Sequence, residues 1–360
     1  MIAWFATKGS GTNEARRMEA LLSRLPETME IPFDKQRKKE GFLRILAEVR
    51  RLRPRLLVME GSGIAGGGAC LLARLLYGTR YVVSSGDAIG PFIGSHQPWL
   101  GPLFGLYERL LCRWSAGFIG WTPYLAGRAM TFGAPRAMTA PGWNLGGSVA
   151  APGARGTVRA RYGVAADHLV FGIVGALEWN PAKRYCYGLE LVRAIRQVKR
   201  EDVSVLIIGG GSGLERLREE AGPLLGRRVF LPGPVPLEGV ADALAAMDVA
   251  SLPQSMDPVG MFRYTTKISE YAAARLPVVT ARIPMAYDLD RDWIWRLPGS
   301  APWGETYCNA LARRMESITR AEIEATRARI PDLTTLFDAE PQCAAAGAFI
   351  ADLLEEETAE

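Results

Sequence analysis

The stretch that decides the fold is VSVLIIGGGSGLERL, residues 203–217. Its first six residues are apolar but for Ser204 and rich in valine and isoleucine, the composition of a buried strand. Glycines and a serine follow at 209–213, and a helix opens at Leu214. Strand, glycine loop and helix in that order make one βα unit, and its repetition builds a parallel sheet covered by helices.

The same alternation extends in both directions. Upstream, LVFGIVGAL (169–177) reads as a strand and YGLELVRAIRQV as a helix. Downstream come the strand RVFLPGPV, the helix LEGVADALAAM, the strand DVASLPQS, a short alanine-rich helix in TTKISEYAAARLPVV (265–279) and the strand PVVTA. An earlier series starts the chain: strand IAWFA, a glycine loop at 8–11, a helix over 13–25, strand RLLVME into GSGIAGGGAC, helix CLLARLLYG, and strand RYVVSSGD. Between the two series, residues 141–167 lose the pattern and fill with Gly, Pro and Ala, as an interdomain connection does. At 360 residues the chain suits two domains. We expect an N-terminal domain over 1–160, a C-terminal domain over 161–335, and a final helix within 336–360. In such sheets ligands bind at the C-terminal strand ends, and two sets of ends can face each other across a cleft.

Composition narrows the function classes. With 48% apolar and 22% charged residues the chain reads as soluble and globular. It has no run of about 18 apolar residues, and its N-terminus lacks the pattern of a signal peptide, so a cytoplasmic protein is expected. Cysteines at 70, 112, 186, 308 and 343 are scattered and lack CxxC spacing, which argues against a disulfide framework or zinc site. The two histidines, His96 and His168, stand far apart and suggest no triad. The net charge is +5, yet residues 31–55 alone hold nine Lys or Arg against three Asp or Glu. Phe42, Leu43, Ile45, Leu46 and Val49 give that segment an apolar side. A solvated helix face is the plain reading; attachment of residues 35–55 to an anionic membrane surface is the functional one. No nucleic-acid motif accompanies the charge.

Several groups fall at strand ends. Gly9 and Gly11 open a helix start where backbone amides favour anions, although a tight turn explains them as well. Asp87, in VVSSGDAIG, is a candidate to bind an acceptor hydroxyl or take its proton; a capping role is the alternative. Gly210 lies in the GGGSG loop, which resembles a phosphate loop without the GxGxxG spacing of dinucleotide binders. Lys183, Arg184, Arg263 and Lys267 supply the cations that a diphosphate leaving group needs. Glu270 stands one helical turn after Lys267, where it can accept from both hydroxyls of a ribose. A lysine in a first helical turn opposes the dipole, so local stability is a weak reason for the pair. DLDRD (288–292) contains an Asp-x-Asp pair, but in a polar loop, and no metal is expected.

With these residues in place, KISEYAAARLPVVTA resembles the C-terminal signature of family 4 glycosyltransferases, in which a glutamate opens a small-residue helix that ends in proline and two valines. VADALAAMDVASLPQS, FGIVGALEWNPAKRY and VLIIGGGSGLERL stand in the order that family shows; the likeness covers about residues 169–282 well and the N-terminal half loosely. The resemblance implies an α/β protein of the GT-B fold, two Rossmann-like domains facing across a cleft, with a final helix returning to the N-terminal domain. It implies a retaining, metal-independent transferase of hexosyl type, moving a sugar from a nucleotide-diphosphate sugar, UDP- or GDP-linked, to a hydroxyl-bearing acceptor, with no separate cofactor. By position, Glu270 would hold the ribose, Lys267 with the backbone of Thr265 and Thr266 the phosphates, and the loop 233–236 the base. The chain departs from the family at Phe262, where a second glutamate is usual, at Ala176, where an arginine is common, and at the strand end holding Asp87, where a histidine is frequent. Two other readings remain: a nucleotide-sugar-binding protein without turnover, and a nucleotide-sugar epimerase.

Overall fold

The computed structural model describes residues 1–143, 149–263, 265, 267–290, 292–332 and 334–356. It divides into two compact units, one comprising 1–143, 262–264 and 335–360, the other 144–261 and 265–334.

The first unit runs β1 (Ile2–Ala6), α1 (Asn13–Leu22), β2 (Thr28–Glu30), α2 (Lys38–Leu52), β3 (Leu56–Glu60), α3 (Ile64–Tyr77), β4 (Arg80–Ser85), α4 (Ile89–His96), α5 (Gly101–Arg113), β5 (Gly117–Gly120), α6 (Pro123–Thr131) and β6 (Ala137–Thr139). Its six strands pair in parallel in the order β2-β1-β3-β4-β5-β6. β1 and β3 are buried along their whole length, which is why they read as apolar runs rather than alternating ones, β3 up to its last residue, the buried Glu60. One helical layer (α2, α3, α5, α6) packs through Ile45, Val49, Ala69, Cys70, Leu111 and Leu125; the opposite face packs Met18, Leu21 and Leu22 of α1.

The second unit contains α7 (Ala154–Tyr162), β7 (Leu169–Val174), α8 (Leu189–Ile195), β8 (Val203–Ile208), α9 (Leu214–Ala221), β9 (Val229–Gly233), α10 (Val240–Ala245), β10 (Val249–Leu252), α11 (Lys267–Ala273), β11 (Val278–Ala281), α12 (Met285–Asp288), β12 (Ile294–Leu297), α13 (Glu305–Ser317) and α14 (Arg320–Ala328). Its sheet is also six-stranded and parallel, ordered β12-β11-β10-β7-β8-β9. The order reverses between β7 and β10, and β7 and β8 there are buried throughout. α7 belongs to this unit because Arg159, itself buried, donates to the Asp248 carboxylate at 2.7 Å and to the carbonyls of Ala246 and His168.

After the short α15 (Thr334–Phe337), the last helix, α16 (Ala339–Glu356), packs in the first unit. Ala346, Ile350 and Leu353 join the α1 side of that core, and the Gln342 amide exchanges two hydrogen bonds of 2.9 Å with the backbone of Gly142. The five cysteines are buried and unpaired. Among the described residues no helix is long and apolar enough to cross a membrane.

Candidate functional site

In the second unit the C-terminal strand ends are built from glycine because backbone must meet backbone there. A Cβ on Gly209, whose φ is +156°, would lie 1.8 Å from the carbonyl oxygen of Gly175. The strand-end amides are chained accordingly: Gly175 N–H donates to Ile208, Gly209 N–H to Gly233, and Leu177 N–H to Gly210. The loops after β7 and β8 are also tied by side chains, since Ser212 donates from N–H and Oγ to Glu178, and Trp179 N–H donates to Ser212 Oγ. Hydrogen bonds from Ser212 hold the Glu178 carboxyl below its usual range.

Gly175, at φ +154°, has a second neighbour: a Cβ there would come within 2.7 Å of both Cε and Nζ of Lys267. The lysine that opens α11 therefore folds its ammonium onto bare backbone at the end of β7, with the Tyr187 ring 5.4 Å away. One turn along, Glu270 is half-buried, and among the described residues no side-chain hydrogen bond or ion pair engages its carboxylate. Burial pushes its pKa up, and the charge of Lys267 offsets this only in part. The hydroxyl of Thr265, just before α11, is likewise buried without a hydrogen-bond partner among the described residues. A cation lying against glycine backbone, a carboxylate one turn along the same helix and an orphaned hydroxyl just before that helix thus stand at the start of α11. That arrangement can neutralise an anion and accept from a pair of hydroxyls.

The remaining expected groups sort as follows. Gly210 lies in the loop after β8, where its carbonyl accepts from Leu177 N–H and Pro234 of the β9 loop is 3.6 Å from where its Cβ would be. Lys183 is held by Asp257 at 3.2 Å and lies over the Trp303 ring at 4.6 Å. Asp257 in turn accepts from Val259 and Gly260 N–H; burial alone would raise its pKa, but these bonds, Ser255 and Lys183 together lower it. Arg184 is exposed, at φ +48°. Thr266 lies outside the described residues. Asp290 of DLDRD is consumed by structure, capping Trp293 and Ile294 N–H and pairing with Arg296. Among the described residues no group of three or more His, Cys, Asp or Glu is placed to hold a metal ion.

Asp87 and Arg263 meet in the first unit, where Arg263 Nε donates to Asp87 Oδ1 at 2.6 Å. Both keep about a third of their side-chain surface exposed, at 36% and 27%. Phe262 beside them packs against the first-unit core, its carbonyl accepting from Thr122 at 2.8 Å and its ring 5.2 Å from the Arg128 guanidinium. Gly9 and Gly11 form the turn after β1 with φ of +115° and +75°, and Thr12 Oγ1 donates back to Gly9.

Two features gave no sequence signal. Tyr187, beside Lys267, also accepts from Gln254 at 3.2 Å. In the first unit, buried Arg17 donates to Glu60 at 2.9 Å, to Ser84 at 3.1 Å and to the Ala140 carbonyl, with its guanidinium over Trp121 at 4.5 Å. Partners brought together from such distances along the chain cannot be paired by spacing.

Comparison with known proteins places these units. Residues 10–141 match the family model described as "Glycosyl transferase 4-like domain", and 168–294 match "Glycosyl transferases group 1". The Anabaena protein HepE in complex with UDP and glucose is similar over 99% of this chain and 100% of its own, with 16% identity and a TM-score of 0.71. Sucrose-phosphate synthase from Thermosynechococcus elongatus covers 99% of both chains at 15% identity and TM-score 0.71. WaaG, a glycosyltransferase involved in lipopolysaccharide biosynthesis, covers 97% of this chain and 99% of its own at 13% identity and TM-score 0.69. No curated protein sequence matches.

Proposed function

This chain belongs to the family 4 glycosyltransferases of the GT-B fold and transfers a sugar from a nucleotide-sugar donor, and from that premise we propose how its residues divide the task. The observation that carries the proposal is the Lys267–Glu270 pair, two charged groups one turn apart at the strand ends of the second unit, with the carboxylate uncommitted within the described protein.

Glu270 accepts from the two ribose hydroxyls. Lys267 sits against the diphosphate, helped by the Thr265 hydroxyl and backbone and by the amides around Gly210. As the bond between the sugar and the diphosphate breaks, negative charge grows on the leaving oxygen, and a preorganised ammonium stabilises it more than it stabilises the ground state. Cationic side chains supply that neutralisation, and the sugar keeps its anomeric configuration. The donor is a UDP-sugar, which HepE's complex with UDP favours over the GDP alternative. The acceptor is a hydroxyl-bearing glycan, glycolipid or small molecule, and Asp87, held by Arg263, is the carboxylate that addresses its hydroxyl. The basic stretch 35–55 attaches the enzyme to the inner, anionic face of a membrane.

A thermal-shift screen of UDP-, GDP-, ADP- and dTDP-sugars tests the donor, because a ligand that binds only the native state raises its stability by its affinity and concentration. We expect the UDP series to raise the melting temperature and Lys267→Ala to abolish the shift. Equal shifts for wild type and Lys267→Ala refute the assignment.

A further inference from the structure

The outward side of α5 carries a second apolar stripe. Its core side is built by Leu111 and Cys112, with Glu108 buried against Arg128. The opposite side exposes Leu103 at 60%, Leu106 at 55% and Leu110 at 37%, while Trp99 before the helix is 77% exposed and Trp114 after it 40%. Positions 99, 103, 106, 110 and 114 are spaced by three or four, so these side chains lie along one helical face. A surface helix of a protein that meets only water presents polar residues there.

The neighbouring helices extend the feature. α3 packs against α5, since a Cβ on Gly67 would strike the Tyr107 hydroxyl and Leu111, and it exposes Leu75 and Leu76. α2 packs against α3 in the same layer. On these three helices the exposed cations include Lys38, Lys39 and Arg44 of α2, Arg74 of α3, and Arg109 and Arg113 of α5. Against them stand the exposed Glu40 and the partly exposed Glu48, which pairs with Arg51. The helix that carries the stripe packs closely against α4. Gly90 and Gly94 of α4 meet Gly105 and Gly101 of α5, with Cβ positions 3.1 and 3.3 Å from the facing Cα atoms. That close hairpin puts the 3-10 turn Pro98–Leu100, and with it Trp99, at its tip.

We propose that this face inserts into an anionic lipid bilayer, the leucines of α5 entering the boundary between headgroups and acyl chains. Trp99 and Trp114 lie at headgroup level at its two ends, and the arginines and lysines bind lipid phosphates. Leucines with terminal tryptophans and a cationic border match a bilayer interface in each part. Nucleic acid would use the cations and leave the leucines in water. The proposal rests on the membrane reading above and deepens it from charge attraction by 35–55 to insertion by a different helix.

The test is flotation of the full chain with phosphatidylcholine vesicles and with phosphatidylcholine–phosphatidylglycerol vesicles, together with quenching of tryptophan fluorescence by acyl-brominated lipids. We expect flotation with the anionic vesicles, quenching that Trp99→Phe/Trp114→Phe removes, and at least a roughly tenfold weaker partition for Leu103→Ser/Leu106→Ser. These sites are exposed, and an unchanged melting temperature verifies folding of each variant. Flotation that is lost in Lys38→Glu/Lys39→Glu but unaffected by the leucine variant, without lipid quenching, overturns insertion and leaves charge attachment standing. No flotation with either vesicle overturns both. Self-association in vesicle-free solution that Leu103→Ser/Leu106→Ser abolishes, without lipid quenching, assigns the face to a second copy of the chain and also overturns the proposal.

Discussion

Glu270→Gln separates a binding group from a structural one, because the two roles predict opposite changes in stability. The substitution keeps the shape and removes the charge. In the unliganded protein the carboxylate is half-buried, lacks a hydrogen-bond partner among the described residues, and is opposed by desolvation more than it is helped by Lys267. A fully buried unsatisfied polar group costs about 1–3 kcal/mol, more when charged, and the partial exposure of Glu270 reduces its share of that cost. The amide inherits part of that cost, so at pH 7 we expect Gln to stabilise the apo protein by about 1 kcal/mol, roughly 2–4 °C for a unit of this size. The pH dependence follows the same sign. Because the folded pKa lies above the unfolded one, the native state binds more protons between the two values. Wild-type stability from this group is fully present below the unfolded pKa and is lost as pH rises through the raised folded value, so the gain in Glu270→Gln shrinks toward acid. Donor affinity moves the other way. Hydrogen bonds to a charged acceptor contribute about 1.5–3 kcal/mol, and losing them weakens UDP binding about 10- to 150-fold. Thermal unfolding without ligand across pH and calorimetric titration with UDP measure both sides. A variant that is less stable at pH 7 yet binds UDP as wild type does refutes the assignment.

Glycine substitutions at the strand ends should part company. Gly175→Ala meets the movable end of Lys267, so the protein folds, at a backbone strain of about 1–3 kcal/mol, and loses UDP affinity by calorimetry. Gly209→Ala meets the fixed carbonyl of Gly175 at 1.8 Å, and we expect too little folded protein for any binding measurement, as judged by soluble yield and circular dichroism. In the first unit, Arg17→Met leaves Glu60 buried without its ion pair and should cost about 3–5 kcal/mol in chemical denaturation. Arg17→Met with Glu60→Gln should recover much of that loss, since the uncompensated charge is then gone.

The architecture was legible where strands are buried on both sides. β1, β3, β7, β8 and β10 are predominantly apolar runs, broken only by Glu60, Ser204 and Ser251, that lead into glycine or turn residues, and the two parallel sheets follow from them. β2, β5 and β6, three or four residues each, carry too little pattern to be read and are fixed by pairing with their neighbours. The α4–α5 hairpin was invisible for another reason: its packing uses glycines, which sequence reading assigns to loops. At the candidate site, Lys267 and Glu270 were legible from helical spacing. Arg263 was grouped with the second-half cations by its place in the sequence, whereas the fold sets it, with Phe262, in the first unit against Asp87. The phenylalanine at a position where the family usually has a glutamate is engaged in packing with the first-unit core. Spacing reports neighbours along an element; it carries no information about which sheet a loop leans on.

The case for Glu270 is strengthened by how this chain treats its other buried acids. Glu190, fully buried in the second unit, accepts from the Tyr185 hydroxyl at 2.7 Å, Gly188 N–H at 3.0 Å and Ser251 Oγ at 2.9 Å. Glu60 has Arg17 and the Trp121 indole N–H, and Asp248 has Arg155, Arg159 and Val170 N–H. Each lies deeper than Glu270, and each is supplied with donors, as nearly all buried polar groups are. The fold therefore supplies donors to these three deeply buried carboxylates, whereas Glu30, half-buried like Glu270, also keeps one carboxylate oxygen without a partner among the described residues. What sets Glu270 apart is the lysine one turn before it, whose ammonium lies against bare backbone, and its partly exposed acceptor sites are open to hydroxyl donors from outside the chain. A ribose supplies two of them, and the diphosphate attached to it gives that lysine its counter-charge.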